Sequence, residues 1–224
     1  ASDVYKRQVT FNLLHRHKAR IMRHIALCLP HIDNAPNILL SQTILSSIFD
    51  ISTFGIDHKH SLTPCCFRLF YNDDTVQHGG VILGFGGVAG HACVGIDKRD
   101  PGYFARAFLS CDYSAVTAAC MMISKELYNE VGGFSEEYAV AFNDVDFCMK
   151  VREKGYLVVY DAFSQWYHYE SKSRGLDDTA EKMERFKGEV DRFQAKWKKQ
   201  LDAGDPYYNK NFSLTKAVFM LDKE

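Results

Sequence analysis

The sequence predicts an α/β protein that ends in an amphipathic helix. Two observations carry that expectation: between Phe67 and Tyr169 short β-branched and aromatic runs alternate with short helical patterns, and from Met183 to Leu201 apolar residues recur at steps of three and four. A third bounds it, because 224 residues of which 46% are hydrophobic suffice for one sizeable core or two small ones.

Residues 1–66 fit neither pattern. They hold apolar residues without a helical or alternating period, and only Gly55 of the 15 glycines precedes Gly79, the first glutamate is Glu126, and six of the nine histidines lie between residues 15 and 60. Two kinds of sequence are joined. His15, His17, His24 and His31 have the donor type of a metal site, but no two of them show the i, i+4 spacing of a helical ligand pair and acids are scarce nearby.

From Phe67 the signals sharpen. CCFRLFY reads as a strand, NDD as a turn, and VQHGGVILGFGG as a second apolar run broken by glycines; GVAGHACVGIDKRDPGYF reads as a long loop. SAVTAACMMIS is expected to be a buried strand and KELYNEVGGF a short helix stopped by Gly132 and Gly133. A second helix starts near Asn143 in AVAFNDVDFCMKVREKGY and stops at Gly155, and YLVVYDAFSQWYHY reads as one or two strands. The stripe Met183, Phe186, Val190, Phe193, Trp197 and Leu201 predicts a helix over residues 178–203 that buries Phe186, Phe193 and Trp197. GDPYYNKNFSL then leaves through Gly204 and Pro206 and is expected to lie back over the α/β part.

The start of the second helix carries two carboxylates. Asn143 is a good N-cap, and Asp146 three positions on can complete a shortened capping box. At about 100° per residue Asp144 and Asp146 point roughly 200° apart, so they cannot serve one partner. Capping accounts for Asn143 and Asp146 and leaves Asp144 as either a solvated first-turn acid or a catalytic one.

Several classes are disfavoured. A formal net charge of -1 lacks the basic surplus of a nucleic-acid binder. No apolar run approaches the roughly 20 residues that span a bilayer, and no secretory signal pattern opens the chain. Seven cysteines without C-x-x-C spacing suit a reduced, cytosolic protein. ILGFGGVAG satisfies G-x-G-x-x-A at Gly84, Gly86 and Ala89, but a dinucleotide fingerprint must open a helix, which Gly90, Gly95 and the Asp100–Pro101–Gly102 turn would break.

The blocks VQHGGVILGFGGVAGH, DPGYF, SAVTAACMMIS, VGGFSEEYAVAFNDVDFCMKVREKGY, YHYESKSRG and DPYYN, in this order, resemble the C-terminal half of family 2 glycosyltransferases, above all bacterial enzymes that build rhamnose-containing surface polysaccharides. The resemblance implies a partial GT-A fold, a mixed sheet with flanking helices, over 67–176 and a helical extension over 177–224. It also implies a nucleotide-diphospho-sugar donor, a saccharide acceptor, no nucleic-acid partner, and a cytoplasmic location with peripheral association at the inner membrane face. By the same resemblance Asp144 is the general base of an inverting transfer, with Asp146, Thr117 and Ala118 at the acceptor. His168 resembles a ligand of Mg²⁺ or Mn²⁺, and Lys172 and Arg174 resemble diphosphate-binding residues. Gln77, His78 and His91 resemble family positions to which the residues alone assign no role.

The departures matter as well. No donor-binding βαβ half and no D-x-D or N-N-D metal element precedes Phe67, so the chain reads as a catalytic half that is inactive alone. The first eight residues, ASDVYKRQ, resemble a translated transposon-end adapter; on that reading the stretch to about Cys66 is either genuine or frame-shifted. Two other classes stay open: a non-catalytic carbohydrate-binding or assembly subunit, and a dinucleotide-binding α/β protein built on GFGGVAG.

Overall fold

The computed structural model describes residues 64–169, 179–215 and 219–221. The expectations for the front histidines, the adapter-like start, and Lys172 and Arg174 lie outside the described residues.

The fold is mixed α/β. Strand β1 (Cys65–Phe70) is the spine of the sheet, and β7 (Val159–Tyr167) pairs parallel with it from Cys65↔Val159 to Phe70↔Tyr167. Because β7 takes one edge of β1 along its whole length, β2 (Val76–His78) and β6 (Met121–Met122) share the other edge end to end, both antiparallel. β5 (Cys111–Asp112) pairs antiparallel with the start of β7. β3 (Val81–Leu83) and β4 (Ala89–His91) form a separate hairpin. Between Phe67 and Arg68 the partner in β7 jumps from Asp161 to Gln165, which curls the sheet and throws Phe163 outward, 75% exposed.

Helices α1 (Lys125–Glu130), α2 (Asn143–Glu153), α3 (Ala180–Lys196) and α4 (Lys198–Ala203) flank this sheet. α1 starts at Ser124, whose hydroxyl accepts from Leu127 N. The two faces of β1 feed different cores: Cys66 and Phe70 join Phe147, Cys148 and Val151 of α2, while Phe67 and Leu69 pack with Trp166.

Three expectations need correction. The stretch read as a long loop contains β4, because Ala89–His91 can fold back on the apolar Val81–Leu83. SAVTAACMMIS is not one strand: it makes a bridge at Ala115, a 3-10 turn over Ala118–Cys120 capped by Thr117, and only then β6. The tail stripe is buried in its second half alone. Phe193 and Trp197 are 0% and 3% exposed, whereas Phe186 is 44% and Met183 62% exposed, and the helix breaks at Trp197. Phe186 instead leans on Phe142, at 5.6 Å between ring centroids. The segment after Gly204 does lie back: Asp205 Oδ2 accepts from Leu83 N at 2.7 Å, and Gly86 N donates to Leu214 O at 2.9 Å.

The G-x-G-x-x-A stretch opens no α-helix. Phe85–Gly87 is a single 3-10 turn with Gly86 at φ 61°, followed directly by β4, so the dinucleotide-binding architecture is absent there.

Gly80, between β2 and β3, is a point of close approach. It sits at φ +102°, and an added Cβ would meet Tyr113 Cδ2 at 2.4 Å. Gly80→Ala should therefore cost about 2–5 kcal/mol from strain and overpacking together, read as a lower denaturation midpoint. A midpoint matching the parent's would show that Tyr113 can move aside.

Candidate functional site

Two clusters lie along the β2/β6 edge of β1. The first is built where α2 meets the 3-10 turn. Asp144 Oδ2 accepts from Ala118 N at 3.0 Å and Oδ1 from Val145 N at 2.9 Å, and one turn later Cys148 Sγ approaches Val116 O at 3.6 Å. The i, i+4 pair Asp144 and Cys148 thus clamps α2 onto the small-residue segment, and Thr117 Oγ1 holds that segment's turn through Ala119 N at 3.2 Å. Asp144 stays partly exposed; Thr117 is buried.

Asp146 faces elsewhere, as the angular spacing requires, but the capping expectation is reversed. The N-cap of α2 is Phe142, at φ 63° and with no side-chain cap bond, so Asn143 is already helical and Asp146 caps nothing. Asp144 satisfies a first-turn N–H instead. Asp146 is 0% exposed: Oδ1 accepts from Trp197 Nε1 at 2.8 Å and pairs with Lys196 Nζ at 2.7 Å. Its Oδ2 accepts from Ser135 Oγ at 2.5 Å and lies 3.8 Å from Lys150 Nζ. These bonds join α2 to α3 and to the turn after α1. Asp146 lies behind Asp144 as an anchor, with no oxygen presented to solvent. Lys196, Trp197 and Ser135 had no local signal, being far from Asp146 in sequence.

α3 makes a second buried anchor that the apolar stripe does not mark. Glu189 is 0% exposed, and its two oxygens accept from Val140 N at 3.1 Å and Ala141 N at 2.9 Å. It fixes the loop that delivers Phe142 and Asn143 to α2.

The second cluster sits at the carboxyl ends of β1 and β7. His168 N donates to Phe70 O at 3.0 Å, continuing the ladder, and His168 Nδ1 lies 2.9 Å from Gln77 Oε1. With Gln77 in this orientation Nδ1 carries the proton. Asp74 is engaged by Tyr167 Oη and by Lys98 Nζ at 2.6 Å, while Asp73 accepts from Thr75 N and Oγ1 at 3.0 and 2.7 Å. Both carboxylates of the Asn72–Asp74 turn are thus engaged by protein groups, Asp73 within the turn and Asp74 by Lys98 and by Tyr167 of β7. His78 and His91 approach Nδ1 to Nδ1 at 2.8 Å, and burial holds the fully buried His78 well below the usual imidazole range.

A divalent cation at the second cluster meets a partial fit. One oriented imidazole suits one ligand position, but among the described residues no group of three His, Cys, Asp or Glu side chains could hold a metal. The remaining donors would have to come from a ligand or from other residues. A cavity of about 380 Å³ lies at the opposite end of α2, lined by Met149, Arg152, Glu153 and Pro206, and includes neither cluster.

The chain is similar to longer bacterial proteins. It is 47% identical over 155 residues to the uncharacterized protein y4gI of Sinorhizobium fredii, a match covering 69% of this chain and 17% of that protein. It is 31% identical over 150 residues to the O-antigen biosynthesis protein RfbC of Myxococcus xanthus, covering 66% and 11%. Over 62 residues it is 29% identical to the N-acetylglucosaminyl-diphospho-decaprenol L-rhamnosyltransferase of Mycobacterium tuberculosis, covering 28% and 20%. The chain thus spans a fifth or less of each of these relatives. No protein-family model matches it, and no solved structure does. No helix among the described residues is long and apolar enough to cross a membrane.

Proposed function

We propose that this chain carries the acceptor-side and catalytic part of an inverting family 2 glycosyltransferase with a GT-A fold, working in surface polysaccharide synthesis. The observation that carries the reading is Asp144: a carboxylate fixed by two backbone N–H groups against the Thr117–Ala118 segment, yet partly exposed. The names of two relatives, an O-antigen biosynthesis protein and a rhamnosyltransferase, support it.

In this reading an acceptor hydroxyl sits over Ala118 within hydrogen-bond reach of Asp144. The carboxylate removes its proton as the oxygen attacks the anomeric carbon, and in-line departure of the nucleoside diphosphate inverts that centre. Asp146 acts at one remove, by locking the helix that aims Asp144. Gln77 holds the His168 ring, whose Nε2 would take one position on Mg²⁺ or Mn²⁺. Such an ion, when bound, stabilises charge on the leaving diphosphate. Lys172 and Arg174 remain proposed diphosphate contacts, and the proposed cytoplasmic, membrane-adjacent setting follows from the same reading.

The test is sugar transfer by the encoded protein at its full natural length, offered nucleotide sugars and saccharide acceptors. Saccharide binding with no nucleotide-sugar turnover would favour a carbohydrate-binding subunit. His168→Ala should weaken Mn²⁺-dependent nucleoside diphosphate binding while sparing acceptor binding. Gln77→Leu, which removes the orienting bond, should weaken it about 10-fold in titrations. Metal-dependent binding that survives both substitutions would remove His168 from the site.

A further inference from the structure

The middle of β1 carries a charge with no counter-charge bonded to it among the described residues. Arg68 is 1% exposed, and its Nε and Nη2 atoms are buried without a hydrogen-bond partner. These two form the side-on fork of the guanidinium, parallel N–H donors spaced to meet two oxygens of a carboxylate or phosphoryl group. Its flat faces are already covered, with the Phe70 ring centroid 5.0 Å from Cζ and that of Phe108 at 4.8 Å. Stacking fixes the plane and leaves the fork unmatched.

A second guanidinium lies nearby. Arg106 stacks at 5.1 Å on Tyr113 and 5.4 Å on Phe219, and Nε reaches Tyr113 Oη at 3.5 Å; no ion pair joins it to a carboxylate among the described residues. Arg68 stacks on Phe108, two residues beyond Arg106 in the same loop, and both arginines oppose the burial that pushes the Cys93 thiol up to about 11. Tyr160 Oη donates to Ala107 O at 2.9 Å, and the exposed Asp100, whose charge acts on Arg68 without an ion pair to it, accepts from Gly102 N at 2.8 Å. Desolvating a guanidinium is strongly unfavourable unless an oxyanion meets it.

We propose that Arg68 and Arg106 form an anion site beneath residues 102–108 that takes a phosphoryl group, with the Nε/Nη2 fork of Arg68 as its bidentate donor. A phosphoryl group, carrying about −1.5 to −2 charges, answers two guanidinium groups where a carboxylate answers one. Phe108, on one side of the guanidinium, is 38% exposed, and its loop holds Phe104 and Ala105 at φ 48° and 60°. That the phosphoryl group belongs to a diphosphate rests on the transferase reading; the site itself does not. A nucleoside diphosphate and a prenyl diphosphate share the required chemistry.

The experiment is calorimetric titration and thermal melting of this chain, at constant ionic strength, with inorganic pyrophosphate and then with UDP and farnesyl diphosphate. Pyrophosphate should bind and raise the melting temperature, and Arg68→Met and Arg106→Gln should each weaken binding about tenfold or more. Arg106 lies at the loop, so Arg106→Gln reports on binding even if Arg68→Met fails to fold. No binding to the parent chain, or binding that Arg106→Gln leaves unchanged, overturns the site. Response to UDP alone identifies a nucleotide source and response to farnesyl diphosphate alone a lipid source. Response to pyrophosphate but to neither of these keeps the phosphoryl site and limits it to unesterified phosphate.

Discussion

Asp144→Asn, in the full-length protein, should lower kcat by about 10²–10⁴-fold, the usual contribution of a general base. Asparagine has nearly the shape of aspartate, and its carbonyl oxygen can still accept from Ala118 N, so the clamp between α2 and the 3-10 turn survives, while the bond from Val145 N, which an amide NH2 cannot accept, is lost. What disappears is the ability to take a proton from the acceptor hydroxyl. Melting temperature and nucleotide-sugar affinity should stay near those of the parent, which separates this loss from misfolding. Turnover within a few-fold of the parent would return Asp144 to the role of a first-turn acid that satisfies Val145 N.

Asp146→Asn should act on the other axis, costing roughly 3 kcal/mol of stability where a lost helix cap costs about 1 kcal/mol. Asp146 is fully buried beneath Trp197 Nε1, Lys196 Nζ and Ser135 Oγ, so neutralising it leaves two lysines facing a carboxamide. Lys196 and Lys150 are 34% and 20% exposed and can turn toward water, which keeps the loss below the ceiling for a fully buried pair. Trp197→Ala removes both the bond and a buried ring and should cost about 3–5 kcal/mol, whereas Trp197→Phe should cost about 1 kcal/mol. The Asp146→Asn and Trp197→Phe losses should be non-additive in a double-mutant cycle. A parent-like melting curve for Asp146→Asn would mean that this network contributes nothing net.

The elements were legible where pattern and local chemistry agree. β1, β2, β7, α1 and α2 all follow from apolar runs and glycine stops within a few residues of one another. The 3-10 turn at Ala118 was not legible, because small residues suit a strand and a tight turn alike, and the choice is made by Asp144 reaching across from α2. The half-burial of the tail stripe was hidden for a related reason. Periodicity marks which residues share a face but not how far the opposite surface extends, and here it stops near Phe193. Of the two carboxylates, the angular argument separated their partners correctly and assigned the capping to the wrong one, since Lys196 and Trp197 cannot be anticipated from the helix itself. Gln77 beside His168 and the unmatched Arg68 are likewise products of strand pairing, invisible until β1, β2 and β7 are in register.

The parallel pairing of β1 with β7 also sets the order of events in folding. Their partners are roughly ninety residues apart in sequence, so the widest contact in the sheet closes the longest loop and forms late. During synthesis β1 must wait with one edge unpaired while everything through α2 is made, a state that invites pairing with other chains. A positive charge at Arg68, in the middle of that waiting strand, makes it a poor template for such pairing, so the same residue that sits unmatched in the finished core guards the unfinished one.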